Sequence, residues 1–160
     1  MIREASPDDI DELFELWREL LHYHQGHHAV FKYNPNQEHV LKSELLTRIK
    51  DKNTRVFGYM QHDEWVGMII TSFKEGVSGF KLSRKGLIAE TVVKESHRGS
   101  GIGKELLEAA RNWLEDMGAD HIELQVSVKN ESGLAFWQNQ GFTPSTYHMI
   151  LELKDAGKKK

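Results

Sequence analysis

The chain has 160 residues, a formal net charge of −3 and no cysteine. This composition excludes disulfides, thiolate metal sites and a cysteine nucleophile, and it argues against a broad basic face for nucleic acid. A hydrophobic share of 39% supports one core, so we expect a single domain over residues 1–154 and a flexible basic tail over residues 155–160. No signal-peptide pattern is present, and no apolar run approaches the roughly 20 residues of a membrane span, which predicts a cytoplasmic protein with no membrane partner.

The first half of the chain predicts a strand, two helices and a β-hairpin. The sequence Ser6-Pro7-Asp8-Asp9 is typical of a helix start, and apolar residues then recur at helical spacing as far as Leu21. His62-Asp63 predicts the short turn of the hairpin. The other predicted elements are a strand from Ile2 to Ala5, a helix from Glu38 to Ile49, and strands from Arg55 to Gln61 and from Glu64 to Phe73.

The second half alternates strands and helices, which predicts a parallel pair of strands within a mixed sheet. A loop is expected from Lys74 to Gly86, and Gly118 is expected to end the long helix. The predicted elements are a strand from Leu87 to Glu95, a helix from Lys104 to Met117, a strand from His121 to Val128, a helix from Asn130 to Gln140 and a strand from Tyr147 to Leu153. The order predicts an α/β (α+β layered) fold, a mixed central β-sheet flanked by helices.

The segment Arg98-Gly99-Ser100-Gly101-Ile102-Gly103-Lys104 lies where a strand passes into a helix. Glycines let the backbone approach a ligand, and the unpaired N–H groups of a helix start favour an anion. A P-loop is a poor match, because the glycine spacing is one residue short and Glu105 replaces the hydroxyl that binds Mg²⁺. A dinucleotide fingerprint is also a poor match, because Lys104 stands at its third glycine. The candidate ligand left after these two is a cofactor of another type that carries a pyrophosphate, and coenzyme A has such a group.

Two motifs resemble those of the GNAT acetyltransferases. The stretch from Val92 to Leu107 is similar to the acetyl-CoA motif of that family, whose core, Q/R-x-x-G-x-G/A, is filled by Arg98, Gly101 and Gly103. The stretch from Asn130 to Phe142 is similar to the second motif and lies at the expected distance downstream. Together the motifs cover roughly the C-terminal half of the chain, and the order of elements in the N-terminal half also suits the family.

The resemblance implies how acetyl-CoA is held. The backbone N–H groups of Gly99 to Lys104 hold the pyrophosphate, and the strand edge at Thr91, Val92 and Val93 pairs with the pantetheine arm. Asn130 contacts the cofactor farther along that arm, in addition to capping its helix. The family also implies a homodimer, which is a common assembly among its members.

The resemblance implies direct attack of an amine on the thioester within a ternary complex, with Val93 N–H as the donor to the oxyanion. Such an amine must lose a proton. Glu90 is the candidate general base, because it lies on the same strand as the acetyl-binding edge and is the only acid there before Glu95. A structural carboxylate paired with a neighbouring element is the alternative role of Glu90.

Trp137 departs from the family pattern, since many members have there a Tyr that protonates the departing thiolate. Indole donates a hydrogen bond but gives no proton at accessible pH. A thiol titrates about 1.5 units above neutrality, so the missing acid costs roughly 2 kcal/mol and catalysis survives it. Tyr147, Ser127 and water are the candidate substitutes, and both core packing and contact with CoA remain open for Trp137. A catalytically weak acetyl-CoA-binding module is the alternative function.

The segment between the first two helices is rich in histidine and aromatic residues, where this family usually forms part of its acceptor pocket. We expect it to shape a pocket for a primary amine on a small molecule or a peptide. We expect no metal, because the histidines lack a nearby carboxylate set. The residues are His22, Tyr23, His24, His27, His28, Phe31 and Tyr33, with Tyr147 and His148 as further candidates.

Overall fold

The computed structural model describes residues 1–25 and 33–153, with only the backbone at residues 24 and 25. Within these residues five strands form one sheet in the order β1-β2-β3-β4-β5, antiparallel from β1 to β4 and parallel between β4 and β5. The strands are β1 (Ile2–Glu4), β2 (Thr54–Gln61), β3 (Glu64–Glu75), β4 (Arg84–Val93) and β5 (His121–Leu124). The helices are α1 (Ile10–Gln25), α2 (Glu38–Lys50), α3 (Ile102–Asp116) and α4 (Glu131–Asn139). The predicted mixed sheet flanked by helices is confirmed.

The sheet buries both of its faces, because helices cover it on each side. One core lies under α1 and α2, and the other lies under α3. The alternation of β3 explains the division, since Met68 and Ile70 enter the first core while Ile69 and Phe73 enter the second. Fully buried residues of α3 are Leu106, Ala110 and Leu114, spaced along one helical face.

Local turn chemistry fixes several boundaries. His62 and Asp63 have positive φ angles of 53° and 62°, which is the backbone of a tight two-residue hairpin and confirms the predicted turn. Gly118, with a φ of 88°, follows α3 in the left-handed conformation that ends helices. A short 3-10 turn at Pro7–Asp9 precedes α1, where the Ser6 N–H donates to the Asp9 carboxylate at 2.9 Å.

A β-bulge at Ala89 reverses the faces of β4. Ile88 pairs with Thr71 and Glu90 pairs with Ile70, so Ala89 is an extra residue on β4. As a result Ile88 packs into the α3 core, whereas Glu90 contacts α1 and α2 on the opposite side. In a regular strand these two residues would share a face.

The prediction of a last strand from Tyr147 to Leu153 is wrong. Residues 142–153 form no helix or strand, and β5 ends at Leu124 instead of Val128. An alternating sequence makes a strand only when a neighbouring strand receives its backbone hydrogen bonds, and none of the described strands pairs with this segment. The predicted tail at residues 155–160 lies outside the described residues. None of the described helices is long and apolar enough to cross a membrane.

Candidate active site

The two parallel strands diverge immediately beyond the bulge. β5 pairs with β4 only from Lys85 to Ile88, so residues 89–93 of β4 have no partner strand on that side among the described residues. The Lys94 N–H donates to the Val66 carbonyl of β3 at 2.8 Å. Because successive N–H groups of a strand point to opposite edges, the N–H of Val93 faces the open side. The gap is therefore lined by free backbone groups of β4.

A glycine loop closes the end of this gap. Gly99 and Gly101 adopt φ angles of 80° and 86°, and a Cβ at either position would meet nothing within 4 Å, so their α-carbons border open space. Gly101 caps α3, which starts at Ile102, so the N–H groups of the first helical turn face outward without intrahelical partners. The Ile102 side chain is buried in the α3 core, so only its backbone is available to a ligand.

The remaining loop residues have distinct surroundings. A Cβ at Gly103 would lie 3.3 Å from the Phe136 ring of α4, so this glycine permits the close approach of α3 and α4. The side chains of Ser100 and Lys104 are exposed, and the Ser100 hydroxyl donates to the His97 carbonyl. An exposed lysine beside a helix N-terminus adds positive charge where an anion is favoured.

Glu90 is a largely buried carboxylate, with 15% of its side chain exposed. The Trp17 indole N–H of α1 donates to Oε2 at 3.2 Å, and the Arg48 guanidinium of α2 lies 3.8 Å from Oε1. Burial raises the pKa of Glu90, and the opposing effects of Arg48 and Trp17 do not fully cancel that rise. The side chain is thus held between two helices, while its backbone pairs with β3 and lacks a described partner strand only on the side of β5.

The side chains that neighbour Glu90 on β4 alternate between the two cores. Val92 is buried with α1 and α2, and Val93 packs partly against the α3 core. Thr91 lies between Glu90 and Val92, and its hydroxyl is buried without a hydrogen-bond partner among the described residues. Buried hydroxyls are usually paired. The β4 edge without a partner among the described strands and the open glycine loop at its end fit an elongated ligand with amide groups and a pyrophosphate.

Asn130 lies at the opposite wall of the gap. Its Oδ1 accepts from the Gly133 N–H at 3.0 Å, which confirms the predicted helix cap, and also from the Tyr23 hydroxyl of α1 at 2.9 Å. Arg98 reaches the same place from the end of β4, because its Nε donates to the Val93 carbonyl at 3.1 Å and its guanidinium lies 6.0 Å from the Tyr23 ring. Tyr23 therefore bridges the two walls of the gap.

Trp137 packs in an aromatic group at the edge of the α3 core. Its ring lies 4.9 Å from Phe136 and 5.5 Å from Phe142, both in edge-to-face geometry. Such contacts stabilise an aromatic cluster. Trp137 therefore has a packing role. Of the residues considered as substitutes for the missing proton donor, Ser127 accepts a hydrogen bond from the Lys129 N–H, and Tyr147 is 86% exposed.

Only part of the predicted acceptor segment lies within the described residues. His22 and Tyr33 contact each other edge-to-face, and the Tyr33 hydroxyl lies 3.1 Å from His22 Nε2 and 3.3 Å from a Glu38 carboxylate oxygen. Burial and the negative charge of Glu38 raise the pKa of Tyr33. Across the described residues no group of three or more His, Asp or Glu side chains is placed to hold a metal ion. The other predicted residues of this segment, His27, His28, Phe31 and the His24 side chain, lie outside the described residues.

The family model described as "Acetyltransferase (GNAT) family" matches residues 10–142. The chain belongs to this family. Relatives of this GNAT chain include N-alpha-acetyltransferase 30 of Schizosaccharomyces pombe, 30% identical over 54% of this chain and 55% of the relative. N-alpha-acetyltransferase MAK3 of Arabidopsis thaliana is 34% identical over 45% of this chain and 39% of the relative. The matches thus span between about two fifths and just over half of these two curated relatives.

Solved structures share the GNAT fold over most of this chain. A tetramutant of the BH1408 protein from Bacillus halodurans has a TM-score of 0.84 at 22% identity, covering 96% of this chain and 99% of that one. The aminoglycoside N-acetyltransferase AAC(6')-Iy, in complex with CoA, has a TM-score of 0.76 at 19% identity, covering 96% and 94%. At these identities the likeness establishes the fold.

Sequence reasoning missed three residues of this GNAT site. Trp17 falls on the predicted apolar face of α1, yet its indole N–H donates to Glu90, 73 residues away in the sequence. Arg48 belongs to no sequence motif that marks it as a site residue. Tyr23 is predicted in the acceptor pocket, whereas its hydroxyl contacts Asn130, 107 residues away. Local periodicity carries no information about such distant pairs. A buried acid needs a cation nearby, so the basic residues of the predicted second helix are the sequence signal for the partner of Glu90.

Proposed function

We propose that this protein transfers an acetyl group from acetyl-CoA to a primary amine. The observation that carries the proposal is the edge of β4 beyond Ile88, which has no partner strand among the described residues and leads into the outward N–H groups of the glycine loop at α3. Acetyl-CoA supplies the activated acetyl thioester. Its pantetheine amides suit the free strand edge, and its pyrophosphate suits the loop Gly99 to Lys104.

The amine class is inferred from the names of the relatives and from the side chains around Glu90. Some are named N-alpha-acetyltransferases, and structural neighbours are named aminoglycoside acetyltransferases. For this chain we infer a primary amine on a small molecule or a peptide, approaching from the α1 and α2 side where Glu90, His22 and Tyr33 lie.

Glu90 is proposed as the general base. A lysine-like amine titrates near 10.4, so removing its proton at pH 7 costs roughly 4.6 kcal/mol. A carboxylate whose pKa burial has raised is a better proton acceptor near neutrality than an exposed one. Its remaining exposure of 15% allows proton transfer through a water molecule, while Trp17 and Arg48 hold the carboxylate in place.

Two further groups complete the proposed chemistry. The Val93 N–H, directed to the open edge, donates to the oxyanion that forms when the amine adds. The Tyr23 hydroxyl donates its proton to the departing thiolate, in the role that Trp137 cannot take. Tyr23 suits this role because it bridges Asn130 and Arg98 across the gap through which the pantetheine arm would pass.

Binding and turnover test the proposal separately. Acetyl-CoA should raise the Tm of the protein, whereas ATP and NAD at the same concentrations should leave it unchanged. An amine panel of polyamines, amino sugars, aminoglycosides and peptide N-termini is then screened for release of free thiol. Thiol release with one class supports the enzyme. A Tm rise without thiol release for any amine would support the catalytically weak binding module, and no Tm rise would overturn both.

A further inference from the structure

The loop between β3 and β4, residues 76–83, presents an apolar tip to solvent. The tip consists of Val77, Phe80 and Leu82, which are 68%, 70% and 59% exposed. Single exposed apolar residues are ordinary, but three in one short loop form a patch. An exposed apolar patch bordered by polar residues marks an interaction site.

Hydrogen bonds hold the loop in a defined shape. The Gly76 N–H donates to the Ser83 carbonyl across the base of the loop. Nearer the tip, the Phe80 N–H donates to the Val77 carbonyl at 3.1 Å. The Asp120 carboxylate, which precedes β5, accepts from the Ser83 N–H at 3.0 Å. Because the loop is already ordered, docking loses little conformational entropy, and these backbone groups keep their partners in an apolar medium.

Positive charge surrounds the apolar tip. The segment from Lys74 to Lys85 contains four basic residues and one acid, Glu75, in a chain whose net charge is −3. Glu75 is paired with Arg84 at 3.3 Å. Lys74 and Lys81 are exposed, and within the part of the chain that the structure describes neither forms an ion pair. The loop is thus a locally basic and apolar feature of an acidic protein.

We propose that this loop docks the protein on the surface of an anionic lipid bilayer. Apolar side chains enter the boundary between head groups and acyl chains, while lysines stay among the anionic head groups. Each lysine near an anionic surface strengthens binding about five-fold. The prediction of no membrane partner rests on the lack of a spanning segment, and docking at the surface needs no such segment.

A protein partner would need a larger surface than the loop offers. Specific protein interfaces bury roughly 1,200–2,000 Å² in total, whereas the tip has three apolar side chains with Ser78, Gly79 and Ser83 around them. A bilayer needs no matching shape and accepts a few side chains. The loop precedes β4, whereas the cofactor gap lies beyond Ile88 toward the other end of that strand. A docked protein therefore keeps the gap in solution.

Sedimentation with vesicles measures the docking. The wild type should bind vesicles of phosphatidylcholine and phosphatidylglycerol in equal amounts, and bind pure phosphatidylcholine vesicles at least about ten-fold more weakly. The double variant Phe80→Ser/Leu82→Ser should lose at least about ten-fold in partition coefficient, because burial of one large apolar side chain contributes that factor. Its Tm should be unchanged, since both side chains are exposed in the folded protein.

The matched control is Met149→Ser/Leu151→Ser, which removes two apolar side chains that are 87% and 84% exposed in another segment. This variant should bind anionic vesicles as the wild type does. Three results would overturn the proposal: no binding of the wild type, equal binding to the two vesicle types, or wild-type binding by Phe80→Ser/Leu82→Ser.

A fluorescent label tests which end of the sheet meets the lipid. Because the chain has no cysteine, a single introduced cysteine carries the label. A bimane-labelled Val77→Cys chain should shift its emission to shorter wavelength on anionic vesicles. Labelled Gln61→Cys, at the β2–β3 turn on the opposite end of β3, should not shift. A shift at position 61 without one at position 77 would assign the contact to another surface and refute the proposal.

Discussion

The Trp17 indole of α1 donates a hydrogen bond to the Glu90 carboxylate of β4, at 3.2 Å. This contact joins the first helix to the strand that borders the cofactor gap. It exists because the bulge at Ala89 turns Glu90 toward α1 and α2. The bulge, the indole and the Arg48 guanidinium together define the orientation of the proposed base.

Replacing Glu90 with Gln tests the base directly. We expect kcat/KM to fall by about 10²- to 10⁴-fold at neutral pH, with little change in acetyl-CoA affinity. The deficit should shrink as the pH approaches the pKa of the amine, because more of the acceptor is then already neutral. Glu12→Gln, on the exposed start of α1, is the control and should behave as wild type. A deficit that is constant across pH would assign Glu90 a structural role.

Arg48→Met should change the pH profile more than the maximal rate. The positive charge of Arg48 lowers the pKa of Glu90 against the larger effect of burial. Removing that charge should raise this pKa further, so the acidic limb of kcat/KM should move to higher pH. Lys42→Met, on the same helix, should leave the limb in place. If the acidic limb of kcat/KM in Arg48→Met stays at the wild-type pH, Glu90 is not the group whose titration produces that limb.

Gly101→Asp should abolish acetyl-CoA binding while the fold persists. A side chain at a φ of 86° costs roughly 1 to 2 kcal/mol of backbone strain, and the carboxylate repels a pyrophosphate at the helix start. Gly79→Asp controls for the added carboxylate alone, because a Cβ there also meets nothing within 4 Å, the residue has no positive φ and it lies in another loop. Calorimetric titration with acetyl-CoA measures both variants. Wild-type affinity in Gly101→Asp would refute the loop assignment.

Tyr23→Phe should lower kcat by up to about 30-fold at pH 7, because a thiolate leaving group needs its proton only below a pKa near 8.5. The deficit should vanish above that pH, and the Kd of CoA should be unchanged. Tyr147→Phe should be as active as wild type. If Tyr23→Phe weakens CoA binding at constant kcat, the hydroxyl serves only to position Asn130.

Trp137→Tyr should keep the fold, lose about 1 to 2 kcal/mol of stability through weaker packing on Phe136 and Phe142, and preserve or raise turnover. Denaturant unfolding and steady-state kinetics measure the two effects. In the Tyr23→Phe background the same change should restore part of the lost rate. A loss of folding in Trp137→Tyr would show that this residue acts through packing alone.

Features with a local chemical cause could be predicted from the sequence. The His62-Asp63 turn, the end of α3 at Gly118 and the Asn130 cap each depend on a few adjacent residues. The bulge at Ala89 could not be predicted, because the extra residue is defined only by the pairing with β3. The strand expected from Tyr147 to Leu153 failed for a related reason, since strand formation depends on a neighbouring strand that alternation within the segment does not reveal.

The short pairing of β5 with β4 has a consequence for folding as well as for binding. If the pantetheine arm occupies the gap beyond Ile88, the ligand pairs with β4 as an added strand would and holds α4 against β4. The free energy of unfolding would then rise with the concentration of acetyl-CoA, because the ligand binds only the folded protein. At a concentration 100 times the Kd, binding adds about 2.7 kcal/mol to the free energy of unfolding. A GNAT built in this way is most resistant to unfolding when acetyl groups are abundant.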